Sequence, residues 1–368
     1  MTRTVRLFSR MFLTVALTMI TALFFSPADP ARAQDDAVVL SEFIFEDAPF
    51  ASCHASTIAQ TRSGDLVAAW FAGTREGAPD VKIWCARRPH NAESWTEPQI
   101  VGVADDKMAP CWNPVLFQQT DGPLWLFYKQ APKIKDWQGV LMRSDDQGKT
   151  WGERRVLPEG FIGPVKNKPV ELSDGSVLCP TSTEHNGWRV HFEWIPDFQK
   201  TWSRTEAINS PEECGAIQPT ILFHRDGRLQ ALCRNRDANA TIWQTWSDDN
   251  GRTWSRLTPT NLPNPNSGID AVTLRDGRQL LVYNHSTAKT GARNLLNVAV
   301  SDDGQNWNAV CVLENASGEF SYPSVIQTKD GMAHIVYTWK RTRVRHVVLD
   351  PQKIQGKPIL DGIWPEEQ

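Results

Sequence analysis

Six polar side chains stand seven to ten residues ahead of six recurring turn glycines: His54, Asn113, Lys168, Gln218, Asp270 and Tyr322. Burying such groups costs free energy unless they find partners. A position that is polar in all six copies is therefore kept for contact with water or a ligand. Seven residues past three of the same turns come Lys129, Arg234 and Asn284, and Arg293 follows shortly after the last of these. With Lys168 they give the shared site an excess of cations. The whole chain carries 39 Lys+Arg against 42 Asp+Glu, a net charge of −3. Cations gathered locally in a nearly neutral chain point to an anionic ligand, such as the carboxylate of an acidic sugar. The same balance leaves no nucleic-acid footprint.

These residues need a scaffold that repeats. The turn glycines are Gly64, Gly122, Gly175, Gly227, Gly277 and Gly331, five of them following Asp and Gly64 following Ser. Their period is about fifty residues, a repeat architecture. Each turn lies between apolar alternating runs, as in Gln218-Pro-Thr-Ile-Leu-Phe before Gly227 and Leu124-Trp-Leu-Phe-Tyr after Gly122. That pattern is a hairpin. Further along five of the six copies stands Trp95, Trp151, Trp202, Trp254 or Trp307. Three of these close a Ser-Asp-Asp loop beginning at Ser144, Ser247 or Ser301, and Asp197 begins a degenerate copy. The aspartate bonds the turn's own backbone and the tryptophan packs beneath it, so these loops are structural. Six hairpins with trailing strands predict an all-β, six-bladed β-propeller. The sixth blade lacks a trailing tryptophan, and a strand near Val38 to Phe45 is expected to close it.

Residues 1–33 read as a signal peptide rather than as part of the fold. Arg3, Arg6 and Arg10 precede an apolar run from Met11 to Phe25, then the small-x-small pattern Ala31-Arg32-Ala33. Cleavage would leave a propeller domain over 34–368, periplasmic or secreted, with no later membrane span. The cysteine count of seven is odd and includes no CxxC pair, so at least one thiol is expected to stay free. No Cys/His spacing suits zinc and no loop resembles an EF-hand, so no cofactor is expected. Many of the sixteen tryptophans belong to the repeat, and a few near polar clusters remain to stack on sugar rings.

Asp-box loops in hairpin blades resemble the sialidase (neuraminidase) superfamily, in particular its bacterial predicted-neuraminidase branch, over essentially the whole mature chain. The resemblance implies a sialidase-like propeller and an exo-glycosidase acting on sialic or uronic acid glycans. It also implies three arginines on the substrate carboxylate, an aspartic acid as acid/base, and a tyrosine nucleophile activated by a glutamate. Asp80 matches the acid/base, Arg234 and Arg293 two of the arginines, and Tyr322 the nucleophile. Two positions depart: His54 stands where the first arginine belongs, and Gln218 where the glutamate belongs. A tyrosine of ordinary pKa near ~10 needs a base, and an amide cannot take its proton. Histidine also lacks the fork with which arginine grips a carboxylate.

Arg75 beside Asp80 is evenly balanced between a loop salt bridge and a substrate contact. Glu184, His185 and His191 occupy the corresponding loop of the third blade, and Glu212 and Glu213 precede the Gln218 strand. Three functions remain open: a sialidase-like hydrolase, a uronate-directed rhamnosidase or polysaccharide lyase using His54, and a non-catalytic glycan-binding propeller. The partner in each is an acidic carbohydrate.

Overall fold

The computed structural model describes residues 36–185, 187–198, 201–237, 240–288 and 292–365, and the 1–33 leader lies outside them. Asp35–Gln368 forms one compact unit. Within it, six antiparallel sheets follow one another along the chain. The innermost strands are Ser52–Gln60, Cys111–Gln118, Val170–Glu171, Ala216–Phe223, Asp270–Thr273 and Phe320–Gln327. Each pairs across its turn with a second strand: Leu66–Gly73, Leu124–Gln130, Val177–Thr183, Leu229–Asn235, Gln279–Tyr283 or Ala333–Trp339. This is the six-bladed β-propeller expected from the repeat, with only two short 3-10 turns beside the strands among the described residues. Five of the six turn glycines adopt φ between 81° and 94°. L side chains rarely enter that left-handed region. Gly122 does not, but a Cβ there would lie 2.3 Å from Gln119 Oε1.

The core sits between blades rather than at a single centre. Leu116, Tyr128 and Met142 of blade 2 pack on Val67, Phe71 and Ile83 of blade 1, and comparable apolar clusters fill the other interfaces. The Ser-Asp-Asp loops are built as their composition implies. Ser144 Oγ donates to Asp146 (2.9 Å), which accepts from the Thr150 N–H (2.9 Å), and Ser247, Asp249 and Thr253 repeat the arrangement. Trp254 lies flat on Phe192 of the preceding blade, with centroids 3.9 Å apart.

The ring closes as anticipated. Val38–Phe43 pairs antiparallel with Arg343–Leu349 and becomes the outer strand of blade 6. Glu42 on that strand accepts from His346 Nδ1, Trp95 Nε1 and Arg88 Nη1, each at 2.9 Å, so one carboxylate ties blade 6 to blade 1. Cys53, Cys85, Cys111, Cys179, Cys214 and Cys233 are buried free thiols, and Cys311 is buried too. No helix among the described residues is long and apolar enough to cross a membrane.

Candidate functional site on the propeller axis

The site is set by a slip in strand pairing. In blades 1, 2, 4 and 6 the ladder between the first two strands is broken, and the residue at the break has positive φ: Ala55 (54°), Asn113 (28°), Gln218 (55°) and Tyr322 (53°). A non-glycine residue held there costs about 1–2 kcal/mol, and such bulges re-aim a side chain. Proline follows three of the four, and proline has no N–H to offer the ladder. Each bulged residue precedes its turn glycine by nine positions, where blades 3 and 5 carry Lys166 and Gly268.

These residues meet on the axis. Gln218 Nε2 donates to Tyr322 Oη (3.4 Å), and Lys166 Nζ lies 6.0 Å from the Tyr322 ring centroid. A Cβ on Gly268 would touch Tyr322, Gln218 and Lys166 at 3.3–3.4 Å, so its glycine leaves the tyrosine uncrowded. The polar ring read from the sequence thus separates into layers. Asn113, Gln218 and Tyr322 occupy the bulge layer. Lys168 and Asp270 stand two residues later in the repeat and pair with each other (2.9 Å), while Asp270 also accepts from Thr220 Oγ1 (2.8 Å) and the Val325 N–H (2.8 Å). His54 stands one residue before the blade 1 bulge. Its ring packs on Tyr322, centroids 4.2 Å apart, and Nδ1 bonds Thr338 Oγ1 (2.9 Å).

Two arginines reach this tyrosine. Arg234 Nη1 donates to Tyr322 Oη (2.7 Å) and to Gln218 Oε1 (3.3 Å), and its Nε is held by Asn266 (2.9 Å). The Arg293 guanidinium carbon lies 5.7 Å from the Tyr322 centroid, and Nη1 bonds Glu319 (2.9 Å). A third guanidinium, Arg341, bonds the other Glu319 oxygen (2.9 Å) and also Glu76. Arg341 sits with Lys340 in a hairpin tip where both residues have positive φ (61° and 50°), and its carbonyl accepts from the Cys53 N–H (2.7 Å). It therefore stands beside His54, where the expected first arginine is missing. Sequence reasoning passed over it because neither residue of that tip is a glycine or other turn signal. Asp80, Glu184 and Arg293 all lie between second and third strands, and the same rule applied to blade 6 leads to Arg341.

Burial and the charges of Arg341, Arg293, Arg234 and Lys166 hold the His54 imidazole well below its ordinary pKa, so it is neutral at physiological pH. Burial likewise pulls Lys166 down to about 7, although its ammonium reaches Asn167 Oδ1 (2.8 Å) and the carbonyls of Ile269 (2.8 Å) and Pro323. Neither hydrogen-bond partner of the Tyr322 oxygen is a base: one is a guanidinium and the other an amide. Two guanidiniums, a neutral histidine and a phenol meet here, and Arg341 joins them through Glu319, so cations cluster around the tyrosine.

The BNR repeat-like domain pattern matches residues 64–335. The chain belongs to the BNR repeat-like domain family. No match was found among curated proteins. Several solved structures share the fold. The intramolecular trans-sialidase from Ruminococcus gnavus, solved with oseltamivir carboxylate, aligns at TM-score 0.69 and 14% identity, over 88% of this chain and 100% of that one. A protein of unknown function from Dyadobacter fermentans gives 0.68 and 16%, over 85% and 98%. The NanB sialidase from Streptococcus pneumoniae gives 0.67 and 13%, over 85% and 71%.

The surroundings of the remaining candidates in this BNR propeller differ. Asp80 is exposed and accepts from Thr74 Oγ1 (2.5 Å) and the Thr74 N–H (2.9 Å), which hold its carboxyl below the usual range. The same loop brings Glu76, rather than Asp80, to Arg341, and Arg75 is exposed. Lys129 is wholly buried between blades 2 and 3, where it donates to the Pro164 carbonyl. Asn284 is a comparable staple, bonding the Leu295 and Phe320 carbonyls. His191 is buried on Glu193 (3.1 Å), and His185 is exposed. Glu213 pairs with Arg256 (3.0 Å), and Glu212 is exposed. Among the described residues no cluster of His, Cys, Asp and Glu could hold a metal ion.

Proposed function

We propose that this protein is a sialidase-type exo-glycosidase that releases a terminal sugar bearing a carboxylate. The observation that carries this reading is the convergence of Arg234 and Arg293 on Tyr322, with Arg341 joined to Arg293 through Glu319. Three guanidiniums can grip a carboxylate through paired, charge-assisted bonds. Tyr322 then lies beneath the anomeric carbon, where its oxygen stabilises the oxocarbenium character of the transition state. Because Tyr322 has no base among its partners, stabilisation of the cation is the role its surroundings support.

One observation favours a second reading, β-elimination on a uronate. His54 is neutral and in contact with Tyr322, and Gln218 replaces a carboxylate. A neutral imidazole can abstract the proton alpha to a carboxylate whose charge arginines have offset. A product-resolved screen of sialosides and uronate polysaccharides separates the two readings. Hydrolysis gives the free acidic sugar, whereas elimination gives an unsaturated uronate with ultraviolet absorbance. Arg341→Ala is expected to weaken binding of the free acidic sugar by about 10–100-fold, the worth of one charge-assisted bond. Tyr322→Phe is expected to cut turnover at least 100-fold, at the low end of ~10²–10⁴ for a group acting in the transition state. Unchanged turnover in Tyr322→Phe, or an unsaturated product from wild type, would refute the hydrolase reading.

A further inference from the structure

Resting on the hydrolase reading, we propose that Lys166 and Asn167 are positioning residues for Tyr322 and Gln218, held in aim through main-chain carbonyls of three other blades. Blade 3 has an innermost strand of only two residues, Val170–Glu171, and the chain ahead of it bends at 165–167. The approach to that bend is anchored. The Ile162 and Gly163 N–H groups donate to the Glu193 carboxylate (3.1 and 2.8 Å), and the Pro164 carbonyl accepts from Lys129. Lys166 and Asn167 are 4% and 1% exposed, so both must find their partners inside the protein.

Those partners lie at one level of the ring. Lys166 Nζ donates to Asn167 Oδ1 (2.8 Å), to the Ile269 carbonyl of blade 5 (2.8 Å) and to the Pro323 carbonyl of blade 6. Three acceptors match the three donors of an ammonium. Asn167 Nδ2 donates to the Gln218 and Pro219 carbonyls of blade 4, at 3.0 Å each. In blade 4 the register sets Gln218 and Pro219 against Cys233 alone, and in blade 6 it sets Tyr322 and Pro323 against Tyr337 alone. Ile269 follows Gly268, which holds the equivalent position in blade 5. Two neighbouring side chains thus bond the main chain at or beside the bulge position of three successive blades.

What the staple secures is orientation. None of the acceptors of Lys166 is a carboxylate, so burying an ammonium here carries a desolvation cost that an apolar side chain would avoid. Gln218 and Tyr322 have φ of 55° and 53°, angles that persist only where the surroundings over-determine them. The side chains of both meet Lys166 around Gly268, where an added Cβ would lie 3.3 Å from Tyr322 and 3.4 Å from Gln218 and from Lys166. Arg234 Nη1 donates to both Tyr322 and Gln218, so a shift of either bulge moves the Tyr322 oxygen against that guanidinium. Misplacing a reacting group by about 1 Å can cost about 10²-fold in rate.

The test uses a 4-nitrophenyl glycoside of the acidic sugar that wild type releases. Lys166→Met is expected to lower kcat about 10–100-fold, with KM and binding of the free sugar within about threefold of wild type. In a Tyr322→Phe background the same substitution should cost no more than about threefold, because its effect runs through that side chain. Asn167→Ala, which leaves the ammonium on blades 5 and 6, should show the same split with a smaller loss, and it carries the test if Lys166→Met does not fold. In both variants amide exchange should rise in Ala216–Phe223 and Phe320–Gln327 and stay unchanged in Val38–Phe43. An undiminished loss in the Tyr322→Phe background, or kcat within about threefold of wild type in both variants, would overturn the assignment and leave the glycosidase reading intact. If wild type releases no acidic sugar, the hydrolase reading fails and exchange alone decides. A selective rise in those two strands then upholds the staple, and unchanged exchange overturns it.

Discussion

Replacing Glu42 by alanine should loosen the ring at its closure and leave the axial site in place. Glu42 Oε1 accepts three bonds at 2.9 Å, from blade 6 through His346 and from blade 1 through Trp95 and Arg88. His346 is wholly buried, and its Nε2 already pairs with His334 Nδ1 (3.0 Å), so its Nδ1 proton would have no acceptor. Leaving such a buried donor unpaired costs about 1–3 kcal/mol. Trp95 is half-buried and can be rehydrated, and Arg88 keeps the Ala92 carbonyl (3.1 Å), so these two together add about 1 kcal/mol. The expected loss is therefore about 2–4 kcal/mol. With ~2.1 cal/mol/K of unfolding entropy per residue over about 330 residues, Tm should fall by roughly 3–6 °C. Glu42→Gln keeps an acceptor oxygen and should lose about half as much. Amide exchange should rise selectively in Val38–Phe43 and its partner Arg343–Leu349. A Tm within about 1 °C of wild type, or unchanged exchange in those strands, would refute the argument that this carboxylate latches the ring.

The same cluster sets an acid limit on stability. Burial lowers His334 to about 3 and also lowers His346, and bonds from His346 and Trp95 lower Glu42 despite its burial. The unfolded chain therefore binds more protons, and stability should be complete above about pH 6.5 and fall steadily toward pH 3, by up to ~1.4 kcal/mol per pH unit for each histidine. A urea midpoint that stays flat from pH 7.5 to pH 4 would contradict this. Lys129→Met should be neutral or stabilising and leave turnover unchanged, because burial already depresses the ammonium to about 7 and the side chain does not reach the mouth. Wild type should gain more stability than the variant as pH rises from 7 toward the ordinary lysine value, the variant keeping only the share due to Lys166, while loss of turnover in the variant would restore Lys129 to the site.

The fold was legible because its punctuation is local. Turn glycines, alternating strands and Ser-Asp-Asp loops each act over a few residues, and their recurrence fixed six blades and the closing strand. The site was legible only in part, because it depends on where the ladder slips. Counting back from the turn places a side chain on the axis only when the bulge is included. Without it, Lys168 and Asp270 stood in for Lys166 and Gly268, and His54 stood in for Ala55. A sequence mark for the slip does exist. Asn113, Gln218 and Tyr322 are each followed by proline, which cannot donate to the ladder. Lys129 and Arg234 sharpen the same lesson, since both lie seven residues past a turn. One is sealed between blades on a carbonyl and the other reaches Tyr322.

The departure at His54 is answered by Arg341. Blade 1 places Ala55 at its bulge and the neutral His54 one residue earlier, so this face brings no charge of its own to Tyr322. The charge comes instead from the blade 6 hairpin tip, where Lys340 and Arg341 hold strained backbone angles and Glu319 bridges Arg341 to Arg293. Strain of this kind persists only where the surroundings over-determine it. Here the Cys53 N–H bonds the Arg341 carbonyl, the Lys340 N–H bonds the Glu319 carbonyl, and Glu76 grips the guanidinium from blade 1. A cation supplied this way carries a constraint that a strand-borne arginine would not. It depends on the Glu76 loop, so a carboxylate ligand reaching Arg341 must share it with Glu76 or displace it. Ligand binding and the position of the 74–80 loop are therefore coupled.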